Sequence, residues 1–181
     1  MIAGPIPPQR DELMTEPSLT SLYQQLILEH YRNPRNKSEL EDHTVEAHVS
    51  NPVCGDEIRV QVRLQCDTIE DIRFDGQGCS ISQASVSMMT AIVKGSNRDE
   101  AIQLAHRFTE MMRGSEEAAG DRSLGDLRAL QGVSKFPVRI KCALLGFDAL
   151  REALGEDSEA GPSGSRSNAG GRTLRERKAA H

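Results

Sequence analysis

The sequence predicts an α+β domain that begins with a helix, continues as a three-stranded antiparallel sheet and ends in a helical half. Apolar and polar residues alternate between residues 44 and 74, as they do in half-buried strands. Before and after that stretch, apolar residues recur every three or four positions, as they do on one face of a helix. Strands and helices segregated along the chain in this way are typical of the α+β class.

The first helix is predicted from apolar residues at helical spacing. Ser18 is the candidate N-cap, and Asn33-Pro34 ends the helix because the residue before a proline avoids helical backbone angles. We therefore expect an amphipathic helix. The residues of its stripe are Leu19, Leu22, Leu26 and His30.

Three strands are predicted next. The first covers residues 44–50, the second runs from Ile58 to Cys66, and the third covers residues 69–74. The short connection Asp67-Thr68 favours antiparallel hairpins with one buried face and one solvated face.

The helical half begins after Cys79. A capping box from Asn97 to Glu100 predicts the start of one helix, and Pro137 predicts the start of the last, which Gly155 ends. The apolar stripes of the predicted helices are Ala84, Met88, Ala91 and Ile92, then Ala101, Leu104, Ala105 and Phe108, then Leu124, Leu127 and Leu130 in a shorter helix, and finally Leu144, Phe147, Leu150 and Leu154.

Length and composition fit one domain with flexible ends. The chain has 181 residues and 37% hydrophobic content, enough for one core, which we assign to residues 19–154. Residues 1–18 are rich in proline and charge and are expected to form a flexible tail. Residues 155–181 are expected to form a disordered, Gly/Ser-rich basic tail.

Composition also argues against two classes of partner. Aromatic residues make up 3% of the chain and tryptophan is absent, so stacking on nucleic-acid bases is not expected. The sequence contains four cysteines but neither a signal peptide nor an apolar run of transmembrane length. We therefore expect a cytoplasmic protein, without membrane association, whose thiols serve metals or redox chemistry.

Three of the four cysteines lie in segments that suit a metal site. Cys54 and Asp56 are two residues apart in a turn between Pro52 and Gly55, so a thiolate and a carboxylate can point at one ion. Cys79 follows the glycine-rich Gly76-Gln77-Gly78, and Cys142 follows Arg139-Ile140-Lys141. Three thiolates and one carboxylate suit tetrahedral zinc, and iron accepts a similar set. Because no CxxC pair is present, spacing alone leaves a metal site and buried structural cysteines equally open.

The same segments resemble the U-type iron–sulfur cluster assembly proteins, the IscU/NifU/SufU family. The matching segments are residues 51–56, 76–82 and 141–143, in this order and at these distances, and the resemblance extends from about Leu22 to Leu154. It implies a SufE/NifU-like fold.

Within that family the chain is most similar to the SufU branch. Lys141 occupies the position where the housekeeping scaffolds carry a metal-binding histidine. SufU-type members also have an insertion between the second and third motif cysteines, and 62 residues separate Cys79 from Cys142 here. The insertion is expected around residues 113–136, where glycines interrupt the helical pattern.

The resemblance implies a function as well as a ligand set. It implies a zinc site formed by Cys54, Asp56, Cys79 and Cys142, with Cys54 as the catalytic persulfide acceptor. The implied partners are a SufS-type cysteine desulfurase, which donates sulfur, and downstream Fe–S scaffold proteins. One alternative is a scaffold that binds iron and assembles a [2Fe–2S] cluster, against which Lys141 argues because an ammonium is a poor ligand. A second alternative is a zinc-stabilised module that regulates the desulfurase without carrying sulfur.

Local surroundings are expected to influence the candidate ligands. Cys79 and Cys142 lie near predicted helix starts, where the helix dipole favours thiolates. Arg139 and Lys141 either lower the pKa of the Cys142 thiol and attract a partner, or are simply solvated charges. Asp56 is favoured as a ligand over a turn residue, and as an oxygen donor it is the ligand expected to release a soft metal most easily.

Other cysteine and histidine residues are left out of the site. Cys66 lies on the predicted inward face of the second strand, so burial as a small hydrophobe explains it. Four histidines outside the three motifs are expected on helix faces or near a strand edge, and they are His30, His43, His48 and His106.

Overall fold

A computed structural model describes residues 18–156 of the chain. The predicted order of a helix, three strands and a helical half is confirmed. The helices are α1 Leu19–Arg32, α2 Ser80–Val93, α3 Arg98–Met112, α4 Glu116–Gly120 and α5 Pro137–Ala153, the strands are β1 Val45–Asn51, β2 Asp56–Gln65 and β3 Thr68–Gln77, and a 3-10 segment covers Arg122–Lys135. The predicted tails lie outside the described residues, apart from their innermost positions.

The helix boundaries follow the capping signals in the sequence. The Ser18 hydroxyl accepts a hydrogen bond from the backbone N–H of Ser21 at the start of α1. Asn97 and Glu100 form both halves of the capping box of α3. Pro137 occupies the first turn of α5, where its missing N–H costs nothing.

The sheet is antiparallel in the order β1-β2-β3, as expected from the short connections. Asn51 pairs with Asp56 at one end of the β1–β2 hairpin, and Gln65 pairs with Thr68 at the far end of β2. The buried face of β2 carries Ile58, Val60 and Val62. The β1–β2 turn is therefore held at the end of the sheet from which β3 leads into α2.

The prediction for Cys66 was wrong, because this residue is exposed rather than buried. Gln65 and Thr68 are paired, so Cys66 and Asp67 form a two-residue hairpin turn, and Cys66 has a φ of +55°. Such turns need positive φ to match the twist of the strands. The turn therefore rotates Cys66 away from the inward face that alternation assigned to it.

Helix α2 lies at the centre of the domain. It contacts α1, α5, the 3-10 segment and β3, and most of its residues are buried. A Cβ atom on Gly146 of α5 would lie 2.8 Å from Cβ of Val86, so the glycine lets α5 approach α2 closely. Phe108 and Phe147 stack with their ring centroids 4.4 Å apart and join α3 to α5.

Helix α1 buries only part of the predicted stripe, namely Leu26 and His30. Leu19 and Leu22 are 63% and 44% exposed, whereas His30 is 1% exposed. Tyr23, Leu26 and Ile27 are the partly buried hydrophobic residues that pack against the core. The contact face of α1 is rotated from the predicted stripe because the helix packs against α2 and the 3-10 segment.

The imidazole of His30 is the centre of a hydrogen-bonded network, called here the His30 network. Nδ1 of His30 lies 2.9 Å from the hydroxyl of Ser87 in α2, and Nε2 lies 3.4 Å from Oδ2 of Asp126 in the 3-10 segment. The backbone N–H of Arg35 also donates to the Ser87 hydroxyl over 2.8 Å. The network ties three elements together. Burial lowers the pKa of His30 although Asp126 opposes this effect.

The predicted insertion contains α4 and the 3-10 segment. Leu124, Leu127 and Leu130 are fully buried, as expected for one helical face, but the backbone is 3-10 rather than α-helical. Their uniform spacing of three matches the 3.0 residues per turn of a 3-10 helix. Gly125, with a φ of +48°, interrupts the segment.

The described chain ends in a bonded turn after α5. Gly155 has a φ of +78°, consistent with its predicted role in ending the helix. The Glu156 carboxylate accepts hydrogen bonds from His106 at 2.8 Å and Arg151 at 3.0 Å. None of the helices in residues 18–156 has both the length and the apolar character that a membrane span requires.

Candidate metal centre

Four structural elements bring the predicted ligands together at one end of the sheet. Cys54 lies in the β1–β2 turn, and Asp56 is the first residue of β2. Cys79 is the N-cap of α2, directly after β3. Cys142 lies in the second turn of α5. Residues that are far apart in sequence thus face one another across the ends of their elements.

The turn that carries Cys54 is shaped by local hydrogen bonds. The side-chain oxygen of Asn51 accepts from the Val53 N–H over 3.0 Å, and its backbone carbonyl accepts from the Gly55 N–H over 2.8 Å. Gly55 has a φ of +71°, a conformation that glycine adopts without steric cost. The result is a tight, exposed loop with Cys54 at its tip.

The donor atoms lie close together. Ligand atoms of Cys54, Asp56 and Cys142 all lie within 4.8 Å of one another, and the two sulfurs are 3.4 Å apart. Cys79 falls outside this closest group, but its Sγ is 3.5 Å from Oδ2 of Asp56. All four cysteines of the chain are free thiols.

These distances fit a four-coordinate metal. A tetrahedral zinc ion with Zn–S bonds of about 2.3 Å separates two sulfurs by about 3.8 Å, and a sulfur and an oxygen by about 3.6 Å. The observed values are 3.4 Å for Cys54–Cys142 and 3.5 Å for Cys79–Asp56. The donor types and these two distances therefore suit zinc, or iron in a similar environment, although the Cys79 sulfur lies outside the closest group.

Asp56 is hydrogen-bonded to all three cysteines of the cluster and is 2% exposed. Burial alone would raise the pKa of its carboxyl group, but hydrogen bonds from the Cys142 thiol, the Cys79 backbone N–H and the other two thiols outweigh burial and lower the pKa. Asp56 is therefore a carboxylate at neutral pH, as a metal ligand must be.

Cys142 differs from its expected environment. Because Pro137 starts α5, Cys142 lies in the second turn, beyond the first-turn N–H groups where the helix dipole acts. The residue is fully buried, and burial together with the neighbouring Cys54 and Asp56 raises the pKa of its thiol. The expected stabilisation of a Cys142 thiolate by the helix start is therefore wrong, and a nearby cation is needed to favour the thiolate.

Arg139 and Lys141 are both exposed on the first turns of α5. Neither forms an ion pair with any side chain in the described part of the protein. Their expected effect on the Cys142 thiol or on a partner stays a prediction. Val53, Phe136 and Val138 are also exposed beside the cysteines.

Gly78, which precedes Cys79, has a role that the sequence alone did not indicate. A Cβ atom on Gly78 would lie 2.9 Å from Cγ and Oδ1 of Asp56 and would collide with Oγ of Ser82. The available signal was a glycine directly before a ligand cysteine, but its reason is visible only in three dimensions. No histidine in residues 18–156 belongs to the donor cluster.

The family model for the NifU-like N terminal domain matches residues 22–143, the region that contains all four donors. The chain belongs to this family. The prediction of a U-type cluster assembly protein from the three cysteine segments is confirmed.

Relatives of this NifU-like domain include proteins with different functional names. The zinc-dependent sulfurtransferase SufU of Bacillus subtilis (strain 168) is 48% identical over 140 residues, covering 77% of this chain and 94% of that protein. The iron–sulfur cluster assembly scaffold protein IscU of Streptococcus pyogenes serotype M1 is 44% identical over 143 residues, covering 78% of this chain and 88% of that protein.

A solved structure has the same fold as this NifU-like domain. It is the SufU protein of Fervidobacterium islandicum AW-1, described as a cluster assembly scaffold protein for the SUF system. It superposes with a TM-score of 0.67 at 30% identity, covering 72% of this chain and 94% of that one.

Proposed function

We propose that this NifU-like protein is a zinc-dependent sulfur acceptor in iron–sulfur cluster assembly, which takes persulfide sulfur from a SufS-type cysteine desulfurase. The main support is that donor atoms of Cys54, Asp56 and Cys142 lie within 4.8 Å of one another, with the Cys79 sulfur 3.5 Å from Oδ2 of Asp56. The 48% identity to a zinc-dependent sulfurtransferase agrees with this chemistry. The proposed ligands are Cys54, Asp56, Cys79 and Cys142.

The ligands have unequal access to a partner. Bound zinc would supply the positive charge that keeps the thiols deprotonated at neutral pH. Cys54 lies on an exposed turn, whereas Cys142 is buried and Cys79 is half-buried. We therefore assign Cys54 as the sulfur acceptor, because a sulfur of a partner protein can reach it.

The proposed reaction is a thiol exchange at sulfur. The Cys54 thiolate attacks the terminal sulfur of the desulfurase persulfide, and a new S–S bond forms on Cys54. The S–S bond of the desulfurase breaks at the same time, and its cysteine leaves as a thiolate. No electrons are gained or lost overall, so the step needs no further oxidant. Downstream Fe–S scaffold proteins are the proposed recipients of the sulfur.

The exposed Cys66 provides a matched control for Cys54. Both thiols are exposed, but Cys66 lies at the opposite end of β2 from the metal centre. The protein and its Cys54→Ala and Cys66→Ala variants would be incubated with a SufS-type desulfurase and cysteine, and persulfide would be measured by mass spectrometry. Loss of sulfur acceptance only in Cys54→Ala supports the proposal. Persulfidation of Cys54→Ala at the normal rate contradicts it.

A scaffold for a [2Fe–2S] cluster is the second candidate, and the 44% identity to an IscU scaffold favours it. The same thiolates can bind iron and sulfide. Anaerobic incubation with desulfurase, cysteine and ferrous iron separates the candidates. Retained zinc with persulfide and no acid-labile sulfide supports sulfur transfer, whereas equal iron and sulfide in place of zinc support the scaffold.

A third candidate is a zinc-stabilised module that stimulates the desulfurase without carrying sulfur. It predicts that Cys54→Ser still stimulates cysteine turnover when zinc is retained. Sulfur transfer predicts that stimulation is lost in this variant. Desulfurase turnover with zinc content measured in parallel distinguishes the two.

A further inference from the structure

The two carboxylate oxygens of Asp56 have different partners. Oδ1 accepts a hydrogen bond from the backbone N–H of Cys79 over 3.0 Å. Oδ2 lies 3.5 Å from the Cys79 sulfur. One oxygen is therefore bound to the start of α2, while the other contacts a candidate metal ligand. The carboxylate is 2% exposed, so solvent does not compete for either oxygen.

This arrangement depends on the absence of a side chain at residue 78. A Cβ atom there would lie 2.9 Å from Cγ and Oδ1 of Asp56, closer than such atoms approach in proteins. Gly78 does not have positive φ, so its backbone is open to alanine and only the space is restricted. Glycine is thus required by neighbouring side chains and not by the backbone conformation, and the shortest contact is with Oγ of Ser82.

Ser82 also limits the space beside residue 78. Its hydroxyl donates to the Cys79 carbonyl over 3.0 Å, and the side chain is fully buried. A Cβ atom at residue 78 would also collide with Oγ of Ser82. A double variant can separate the effects of Asp56 and Ser82, because removing Oγ of Ser82 relieves one collision and leaves the collision with Asp56.

We infer that Gly78 is a positioning residue which, with the Cys79 backbone N–H, holds Asp56 so that only Oδ2 is available to a metal. The inference rests on the proposed metal site but goes beyond the sulfur-acceptor function. A carboxylate fixed in this way is preorganised as a single-oxygen ligand, which suits a four-coordinate ion. It disfavours calcium, which is commonly bound by both oxygens of a carboxylate within a larger oxygen shell.

The same geometry bears on which ligand releases the metal. From its residue type, Asp56 is expected to be the ligand released most easily, since oxygen is a weak donor to a soft metal. Its burial and its hydrogen bond to the Cys79 N–H instead favour retention of its position. These two features therefore hold the Asp56 carboxylate in place within the candidate centre.

The test compares Gly78→Ala with Gly132→Ala in the full-length, zinc-loaded protein. A Cβ atom at Gly132 would meet no atom within 4 Å, so this variant controls for the loss of a glycine. We expect Gly78→Ala to lower zinc affinity about 10- to 100-fold, on the scale of changes to groups that orient metal ligands. We also expect faster hydrogen exchange at the Cys79 amide, and neither change in Gly132→Ala. Unchanged zinc affinity and a protected Cys79 amide in Gly78→Ala would overturn the inference.

The double variant Gly78→Ala/Ser82→Ala shows whether Asp56 or Ser82 requires a glycine at residue 78. Because the collision with Asp56 remains, zinc affinity should stay low. Recovery of wild-type affinity in the double variant would show that Gly78 serves the packing of Ser82, and would overturn the inference.

Asp56→Asn carries the test even where Gly78→Ala fails to fold. An asparagine retains the Oδ1 acceptor for the Cys79 N–H but replaces Oδ2 by an amide nitrogen, which is a poor metal ligand. We expect weakened zinc binding with the Cys79 amide still protected, whereas loss of that protection would overturn the inference. Both readouts are independent of sulfur acceptance, so failure of the wild-type protein in the persulfide assay would reject the proposed function without deciding this point.

Discussion

The metal centre and the His30 network are both clusters of polar side chains contributed by separate elements, but their groups are satisfied in different ways. In the His30 network, Nδ1 faces the Ser87 hydroxyl and Nε2 faces the Asp126 carboxylate. In the metal centre, three thiols surround one carboxylate, and no described cationic side chain is paired with Asp56. Both ring nitrogens of His30 have a partner in the first cluster. The second cluster brings together a carboxylate and thiols, all of which are anionic when deprotonated.

The difference separates stabilising polar groups from functional ones. A buried network whose members pair with one another fixes the positions of the elements that carry them. A cluster of potential anions becomes favourable when a cation joins it, because burial and the neighbouring Cys54 and Asp56 raise the pKa of the Cys142 thiol. We therefore expect variants of the metal centre to change metal binding more than folding, and variants of the His30 network to do the reverse.

Cys142→Ala should give the largest effect. Removing a buried thiolate donor should reduce zinc affinity by more than about 100-fold, since changes in the shell behind the ligands already cost up to that amount. Chelator competition measures the affinity, and Cys66→Ala is the control because Cys66 lies at the far end of β2. Equal zinc affinity in Cys142→Ala and in the wild-type protein would contradict the expectation that variants of the metal centre change metal binding.

His30→Ala should give the next largest effect, on stability. The change leaves a cavity at a residue that is 1% exposed and removes the imidazole that contacts Ser87 and Asp126. We expect a loss of about 2–4 kcal/mol in the free energy of unfolding, measured with urea at saturating zinc. Zinc affinity should stay within about twofold of wild type. A large loss of affinity with unchanged stability would contradict the division between the two regions.

The local signals in the sequence predicted much of the fold. Ser18, Asn97 and Pro137 mark helix starts through chemistry that acts within one turn, so no tertiary information was needed. The donors could be grouped because their segments resemble a known family. Their spacing alone did not exclude buried structural cysteines.

Features that depend on tertiary packing could not be predicted in the same way. Alternation placed Cys66 inside, but the turn geometry that exposes it depends on the pairing of Gln65 with Thr68. His30 was expected on a helix face because its partners, Ser87 and Asp126, are distant in sequence. The role of Gly78 depends on a carboxylate 22 residues earlier, at Asp56.

The pH dependence of stability sharpens the comparison further. Burial lowers the folded-state pKa of His30 below 6.5, while Asp126 and Glu29 oppose this effect and Arg35 reinforces it. Below pH of about 6.5 the unfolded chain binds a proton at this site before the folded protein does, so stability falls as pH drops toward the folded-state pKa. The slope from this one group is at most about 1.4 kcal/mol per pH unit.

His30→Gln isolates that contribution because glutamine is polar and does not titrate. Urea unfolding of both proteins between pH 7.5 and pH 5 (the range that spans the ordinary histidine pKa) should show a steeper loss for the wild type. Parallel curves would mean that His30 titrates equally in the folded and unfolded states. The pH dependence of zinc binding is common to both proteins and cancels in the comparison.

Asp126→Asn should give the smallest effect. The Asp126 side chain is 46% exposed and lies 3.4 Å from Nε2 of His30, so solvent screens the pair. Asparagine can still accept a hydrogen bond from the imidazole, and we expect a loss below about 1 kcal/mol in the free energy of unfolding. Because the carboxylate raises the pKa of His30, its removal should lower that pKa further, which NMR titration of the imidazole measures directly. If Asp126→Asn lowered the free energy of unfolding as much as His30→Ala, Asp126 would be the essential member of the network. The contact of His30 with the 3-10 segment would then stabilise the protein more than its contact with α2.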